Sequence, residues 1–182
     1  MEIHCSNCDS KSEFLFKVSD FNKGCVDKKF EYWRCPACHL IFLPEIPDDL
    51  GDYYDNSYYE FYSPKNFLKI ANKNLYQIKM IQKFVASGRL LEIGPGKGVF
   101  AHVAKQAGFE VDVIEMSELS CNYLSDVVGV NAIKTDRPQD AIKAMGKHDV
   151  IVTWHNIEHL PDPWAFLNNA ADNLAPGGIL LI

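Results

Sequence analysis

Residues 90–98 read Leu-Leu-Glu-Ile-Gly-Pro-Gly-Lys-Gly, an apolar run that leads into glycines at alternate positions. A short apolar run of this kind is typical of a strand buried in a parallel sheet. Glycines directly after such a strand let the backbone turn sharply and approach a ligand closely. The stretch therefore predicts a strand over Leu90–Ile93 and a binding loop that contains Gly94, Gly96 and Gly98.

The spacing of these glycines separates the loop from two well-known phosphate-binding motifs. The loop lacks the G-x-x-x-x-G-K-[ST] pattern of P-loop enzymes. Its third glycine, Gly98, comes one residue too early for the G-x-G-x-x-G pattern of dinucleotide-binding enzymes. A bare G-x-G-x-G fits several nucleotide-binding folds, so the loop alone does not specify its ligand.

Outward from this strand, the pattern alternates between strand and helix. Apolar runs predict further strands over Val111–Glu115, Val130–Ile133, Asp149–Thr153 and Gly178–Ile182. Helical spacing predicts helices from Pro64 up to Gly88 and over Val99–Ala107, Glu118–Val127, Gln139–Met145 and Trp164–Leu174. This alternation predicts an α/β fold, a doubly wound parallel sheet with both faces covered.

Polar residues follow the strands at the end where such sheets bind ligands. The second strand ends in Glu115, about 20 residues after the glycines, where a carboxylate can accept hydrogen bonds from two ribose hydroxyls. The fourth strand leads into Trp154-His-Asn-Ile-Glu-His-Leu-Pro-Asp-Pro163, which falls over the same cleft. The glycine loop and Glu115 together predict an adenosine-type ligand.

Four of the six cysteines form two Cys-x-x-Cys pairs, Cys5 with Cys8 and Cys35 with Cys38. Two residues between thiolates allow a tight turn to aim both sulfurs at one ion, and two such turns complete a tetrahedral zinc site. Because cysteines fill all four positions, no position is open for a catalytic water, and the zinc is expected to be structural. The alternative is two disulfides, which are rare in a reducing cytoplasm.

The residues around these cysteines predict a small separate domain. Aromatic-rich runs predict short antiparallel strands over Ser12–Val18, Lys29–Arg34 and Leu40–Leu43. One metal that clamps such strands makes a zinc ribbon, here residues 1–46. An aromatic-rich segment, 47–63, then either packs the ribbon on the next domain or serves as a lid over a substrate cleft. The α/β domain takes up residues 64–182.

Charge and hydropathy exclude several classes of protein. The chain has 24 acidic and 18 basic residues, and its net charge is -6. Residues 61–182 are neutral, so residues 1–60 carry the whole excess and neither part offers the basic stripe that nucleic acid requires. No apolar run approaches the roughly 18 residues of a membrane helix, and the first residues lack the features of a signal peptide. We therefore expect a cytoplasmic protein without a membrane span, and a nucleic-acid substrate is disfavoured.

Four segments in this order resemble class I S-adenosylmethionine-dependent methyltransferases. They are Leu90–Gly98, Val111–Glu115, Asn156–Pro163 and Leu174–Gly178, and the resemblance covers about residues 64–182. A cysteine ribbon followed by tyrosines resembles a subgroup with an N-terminal zinc-binding domain. Several of its members act on sugars or other small molecules in surface-polysaccharide and antibiotic pathways.

The resemblance implies how S-adenosylmethionine would be held. The backbone at the three glycines would meet its methionine part, and Glu92 would hold its amino group through water. Glu115 would hold the ribose, Met116 would pack on the adenine, and Asp136 would reach the adenine amine. Lys97 replaces the small or polar residue often found at its position and is expected to point to solvent.

The resemblance also implies roles for the loop after the fourth strand. Trp154 and His155 would lie along the cofactor near the sulfonium. His155 and His159 are the candidate general bases, because histidine titrates near neutrality; His159 could instead bond the loop backbone. One branch of the family holds magnesium with a glutamate where His155 stands, so no magnesium is expected here.

Three functions are compatible with the sequence. The first is methylation of a small-molecule acceptor, with sugar or polysaccharide-linked substrates preferred and O- or C-methylation open. The others are an RNA methyltransferase that uses its zinc ribbon to grip the substrate, and a binding or scaffold module without catalysis. The family's sheet continues for two more strands, so the chain is expected to be cropped at its C-terminus. Its fifth strand would then be an exposed edge at which partner strands could pair.

Overall fold

The computed structural model describes residues 2–19, 28–45, 60–160 and 162–182. The chain divides into two compact units, Met1–Asp55 and Asn56–Ile182. Most of the predicted linker, 47–63, lies outside the described residues, so the domain boundaries drawn from the sequence remain a prediction.

The smaller unit contains a three-stranded antiparallel sheet in the order β1-β2-β3. Its strands are β1 (Glu13–Ser19), β2 (Lys29–Arg34) and β3 (Ile41–Phe42). Aromatic pairs join β1 to β2: Phe16 packs on Tyr32 with ring centroids 5.2 Å apart, and Phe14 meets Trp33 edge-on at 6.1 Å. These strands confirm the three predicted runs, although the third strand is shorter than expected.

The larger unit contains the predicted alternation of strands and helices. In chain order its elements are α1 (Pro64–Lys73), α2 (Leu75–Ile81), β4 (Gly88–Ile93), α3 (Val99–Gln106), β5 (Phe109–Glu115), α4 (Glu118–Tyr123), β6 (Asn131–Lys134), α5 (Pro138–Ala144), β7 (His148–Thr153), α6 (Pro163–Asp172) and β8 (Leu174–Leu181). The five strands pair in parallel in the order β6-β5-β4-β7-β8. The order reverses at β4, which confirms a doubly wound sheet of the Rossmann-like kind.

Alternate residues of the central strands point to opposite faces of this sheet, and each face has its own core. Leu90 packs with α1, α2 and α3 on one face, and Leu91 packs with α5 and α6 on the other. All three of Leu90, Leu91 and Phe166 are fully buried. Helices therefore cover both faces, which explains why the strands read as nearly continuous apolar runs.

The long helix predicted from Pro64 towards Gly88 is wrong, because two helices occupy that stretch. The break lies at Asn74, whose side-chain Nδ2 donates to the backbone oxygen of Ile70 at 2.9 Å. Such a side-chain bond competes with helix continuation. Pro64 begins α1 as expected, whereas the side chain of Ser63 makes no capping hydrogen bond.

Two other elements differ from their predicted bounds by more than two residues. The helix predicted over Glu118–Val127 is α4 followed by a π-helical turn, Leu124–Val128, that ends at Gly129 with φ of 73°. The last strand begins at Leu174 and not at Gly178, because Leu174 already pairs with His148 before a bulge in the register. β8 lies at an edge of the sheet that the described residues form.

A buried ionic network ties the amino ends of the strands together. Asp112 accepts hydrogen bonds from Arg89 at 2.8 Å and Asn131 at 2.7 Å, and its Oδ2 lies 3.0 Å from Nε2 of His148. Asp112 and His148 are both buried. Burial alone would raise the pKa of Asp112, but the bonds from Asn131, His148 and Arg89 outweigh it and lower that pKa.

Replacing Asp112 with alanine is expected to lower the free energy of unfolding by about 2 kcal/mol, because its charged and polar partners lose their acceptor. The partial exposure of Arg89 keeps this value below that of a fully buried pair. Since the pKa of Asp112 is lowered, its contribution is present above pH ~4 and is lost as the pH falls through the lowered pKa. Urea unfolding at pH 7 and pH 3 measures both effects.

The matched control is Asp140→Ala, because Asp140 forms exposed ion pairs with Arg137 and Lys143. Exposed pairs contribute little, so this variant should lose less than about 1 kcal/mol. Equal losses in the two variants would contradict a special role for the buried network.

Candidate functional site

The structure brings the four predicted zinc ligands into one cluster. The sulfurs of Cys5, Cys8, Cys35 and Cys38 all lie within 4.8 Å of one another. Sγ of Cys5 is 3.6 Å from that of Cys38, and Sγ of Cys8 is 3.5 Å from that of Cys35. Four thiolates about 2.3 Å from a zinc ion stand about 3.8 Å apart, so the cluster has the size that zinc requires.

The two Cys-x-x-Cys turns are built alike. In each turn the first cysteine accepts a backbone hydrogen bond from the residue after the second cysteine: Asp9 donates to Cys5 at 2.9 Å, and His39 donates to Cys35 at 3.0 Å. Asp9 and His39 both have left-handed backbones, with φ of 59° and 63°. Two equivalent turns that face one another are the arrangement expected of paired zinc knuckles.

The surroundings of the sulfurs act differently on their pKa values. Hydrogen bonds from the backbone of Leu40 and the side chain of Asn7 lower the pKa of Cys38 to about 6. Burial raises the pKa of Cys5 to about 11. These surroundings therefore favour the thiolate at Cys38, whereas Cys5 would have to lose its proton to bind a metal ion.

In the larger unit, the glycine-rich loop follows β4 with the backbone that its glycines allow. Gly94, Gly96 and Gly98 have φ of 67°, 53° and 70°. A Cβ on Gly98 would lie 2.6 Å from a methyl carbon of Leu124, so the third glycine permits close packing against the turn after α4. The loop thus needs glycine both for its backbone and for its packing.

Glu115 ends β5, beside this loop. Its Oε1 accepts hydrogen bonds from the backbone of Met116 at 2.8 Å and of Ser117 at 2.9 Å. Burial raises the pKa of Glu115, and backbone donors at Ser117, Met116 and Gly96 oppose that rise. The carboxylate is therefore held in one orientation at the end of its strand. The sequence predicted that a carboxylate at this position binds the ribose of the ligand.

Glu92 lies inside β4 and is only 3% exposed. Its Oε2 is buried and has no hydrogen-bond partner among the described residues. Burial, opposed by a backbone hydrogen bond from Ala101 and assisted by the charge of Glu115, raises the pKa of Glu92 to about 8. A buried carboxyl with one unpartnered oxygen fits a ligand that brings a positive charge or a donor.

Two side chains at the end of β7 also carry unpartnered polar atoms. Oγ1 of Thr153 and Nε1 of Trp154 are buried and make no hydrogen bond within the described part of the chain. Trp154 packs edge-on against Phe100 at a centroid distance of 5.5 Å. Because β7 lies beside β4, these atoms and Glu92 fall at the same end of adjacent strands. The protein itself thus leaves three buried polar groups to be satisfied at this end.

The remaining predicted residues lie in more open positions. Met116 is 49% exposed, and Asp136, after β6, is exposed as well. His155 and His159 are exposed on the loop after β7, and His155 has φ of 49°. Lys97 is half-exposed, and its ammonium lies over the ring of the exposed Tyr62, 4.7 Å from the centroid, because a cation is attracted to an aromatic face.

Thr153 and Asn156 have no role predicted from the sequence. Thr153 is a polar residue at the carboxyl end of a predicted strand, a signal that could have marked it. The place of Asn156 depends on a tertiary contact, because its amide lies against Gly94, in the loop that follows β4. No local pattern announces such a contact.

A glycine loop and a fixed carboxylate at the ends of neighbouring parallel strands define the class of Rossmann-like domains that bind nucleotide-type cofactors. A family model for a methyltransferase domain matches residues 65–182. The chain therefore belongs to this family, that of the S-adenosylmethionine-dependent methyltransferases.

Curated relatives include ubiquinone biosynthesis O-methyltransferases. That of Caulobacter sp. (strain K31) is 31% identical over 99 residues, which are 52% of this chain and 39% of the relative. That of Bordetella avium (strain 197N) is 27% identical over 113 residues, 58% of this chain and 47% of the relative. The chain therefore spans less than half the length of these relatives.

Solved structures with the same fold include two methyltransferases. One is an amino pentose methyltransferase from Micromonospora echinaspora, solved with S-adenosylmethionine bound. Its TM-score is 0.52 at 16% sequence identity, and the match covers 70% of this chain and 58% of the methyltransferase chain. The other is an S-adenosylmethionine-dependent methyltransferase from Archaeoglobus fulgidus, with a TM-score of 0.50 at 21% sequence identity. That match covers 59% of this chain and 48% of the methyltransferase chain. At these identities the likeness concerns the fold. Among the described residues, no helix is long and apolar enough to cross a membrane.

Proposed function

We propose that the protein transfers a methyl group from S-adenosylmethionine to a small-molecule acceptor, preferably a sugar or a related biosynthetic precursor. The observation that carries the proposal is the buried Glu92, whose Oε2 has no hydrogen-bond partner among the described residues and which lies two residues before Gly94, the first glycine of the loop. The methionine part of the cofactor has a positively charged amino group, which supplies the partner that this carboxyl lacks.

The chain's own residues divide the binding of the cofactor between two strands. The backbone at Gly94, Gly96 and Gly98 admits the methionine part closely, and Glu92 holds its amino group. Glu115 at the end of β5 holds the ribose, with Met116 and Asp136 beside the adenine. When bound, the cofactor supplies an activated methyl group, so the protein must mainly align the acceptor and exclude water.

An acceptor hydroxyl or carbon that carries a proton also needs a base. We propose that His155 or His159 takes this proton, since both are exposed on the loop that follows β7. Asparagine at each position in turn separates the candidates. The variant that lacks the true base loses turnover and the corresponding limb of the pH–rate profile, whereas the other keeps both.

The acceptor class is proposed from charge and from the relatives. The acidic N-terminal 60 residues disfavour a polyanionic substrate. Relatives are named for an O-methylation in ubiquinone biosynthesis and, in one solved structure, for methylation of an amino pentose, and both acceptors are small molecules. We further propose that a structural zinc ion is held by Cys5, Cys8, Cys35 and Cys38.

Titration of S-adenosylhomocysteine into the full chain by calorimetry tests the proposal. We expect binding that Glu115→Ala weakens by roughly tenfold to a hundredfold, the value of one or two hydrogen bonds to a charged group. The matched control is Glu110→Ala, which removes an exposed acid from the other end of β5 and should bind normally. A folded wild-type chain that binds no S-adenosylhomocysteine would contradict the proposal.

A further inference from the structure

We propose that Asn156 is a cofactor-contacting residue that grips the amino-acid part of S-adenosylmethionine, and that the strained backbone of His155 positions it. The inference rests on the proposed function and adds a residue to the site. It also gives His155 a role that does not depend on its imidazole.

The amide of Asn156 closes the space in front of the first loop glycine. A Cβ on Gly94 would lie 2.5 Å from Cγ of Asn156 and 2.7 Å from both Nδ2 and Oδ1. Equal distances to the nitrogen and the oxygen mean that the flat face of the amide covers Gly94. The donor and the acceptor of the amide lie at its edge, away from the face that covers Gly94.

The backbone next to this amide is strained. His155 has φ of 49°, and within the described part of Asn56–Ile182 it is the only residue other than glycine with a left-handed backbone. This conformation is unfavourable for residues with a Cβ, and such strain persists where the surroundings require it. Here it turns the chain between Trp154, which packs on Phe100, and Asn156, which packs on Gly94.

The hydrogen-bonding groups around Asn156 suit the amino-acid part of S-adenosylmethionine and not its nucleoside part. An ammonium group needs acceptors, which Glu92 and the amide oxygen of Asn156 provide. A carboxylate needs donors, and the amide nitrogen of Asn156 provides one. Glu115, which is proposed to bind the ribose, ends β5, and β5 lies on the opposite side of β4 from β7. The two ends of an elongated cofactor would therefore be read by different strands.

Two ligands that differ only in the amino-acid part test this assignment. S-adenosylhomocysteine carries that part, and 5′-methylthioadenosine lacks it. We expect Asn156→Ala to bind S-adenosylhomocysteine about tenfold to a hundredfold more weakly than the wild type, the effect of one hydrogen bond to a charged group. The affinity for 5′-methylthioadenosine should stay unchanged, whereas Glu115→Ala should weaken both ligands.

Variants of His155 test the positioning role. Valine is β-branched and disfavours a left-handed backbone, so His155→Val should reproduce the selective loss seen in Asn156→Ala. Glycine accepts this backbone, so His155→Gly should lose clearly less affinity for S-adenosylhomocysteine than His155→Val does. If both residues act through one amide, the double variant His155→Val with Asn156→Ala should bind no more weakly than Asn156→Ala alone.

Several outcomes would overturn the inference and leave the proposed function intact. Asn156→Ala could weaken both ligands equally or neither, or His155→Gly could lose as much affinity as His155→Val. Thermal unfolding of each variant checks its fold, and Asn156→Ser serves if the alanine variant is unstable. A folded wild type that binds neither ligand would instead overturn the proposed function, and this inference with it.

Discussion

Removal of zinc is expected to unfold the smaller unit and to leave the sheet of the larger unit intact. Purified without chelator, the chain should carry about one zinc ion. After extraction of that ion, the amides of β1 and β2 should exchange with solvent rapidly, while those of β4 and β7 stay protected. Hydrogen exchange read by mass spectrometry measures both sets at once.

The energetic reason is the small apolar core of this unit. Phe14 is 53% exposed, Phe16 is 43% exposed and Ile41 is 50% exposed, so the sheet itself buries little. The buried residues in the described part of this unit are instead Cys5, Cys35 and Ser12, and the two cysteines are proposed zinc ligands. A structural zinc ion contributes about 10–16 kcal/mol, as much as the entire net stability of an ordinary domain. A three-stranded sheet of this size has no comparable second source of stability.

Cysteine variants provide the matched comparison. Cys35→Ser removes a buried ligand and should abolish zinc binding and the protection of β1 and β2. Cys121→Ala removes a buried cysteine of the larger unit, whose sulfur contacts the backbone oxygen of Glu115, and should keep the full zinc content. Less than half an equivalent of zinc in the wild type, or four cysteines consumed in disulfides, would contradict the metal site.

Much of the larger unit could be predicted because its strands are buried on both faces. Leu90–Ile93 reads as apolar apart from Glu92, and β4 includes all of it. The break at Asn74 had no such signal, because Ile78 and Ile81 continue the helical spacing of Phe67 and Ala71 across it. Only the side-chain bond of Asn74 to the preceding turn reveals the break.

Some residues of the candidate site could likewise be identified from local sequence, whereas others depend on tertiary contacts. Glycines and acids at strand ends have local signatures, so Gly94 and Glu115 could be assigned roles from the sequence. The contact of Lys97 with Tyr62 joins residues from different segments of the chain, and so does the contact of Asn156 with Gly94. The unpartnered state of Glu92 likewise depends on every atom packed around it, which no sequence pattern states.

The affinity for S-adenosylhomocysteine is expected to rise about 50-fold between pH 6 and pH 8. In the free protein, burial raises the pKa of Glu92 to about 8, so its carboxyl is largely neutral at pH 6. The amino group of the ligand favours the ionised carboxylate and lowers that pKa on binding. Binding below pH 8 must therefore release a proton, and affinity increases with pH until the free carboxyl is itself ionised.

Calorimetry in two buffers with different ionisation enthalpies measures the released proton directly, and titrations at several pH values measure the affinity. Glu92→Gln is the matched variant, because it keeps the shape of the side chain and removes its titration. This variant should bind more weakly at pH 8 and show little dependence on pH from 6 to 8. A wild type whose affinity is flat over that range, with no proton released, would mean that the ammonium group does not meet Glu92. The buried carboxyl would then serve the packing of β4 against α3, where the backbone of Ala101 already donates to it.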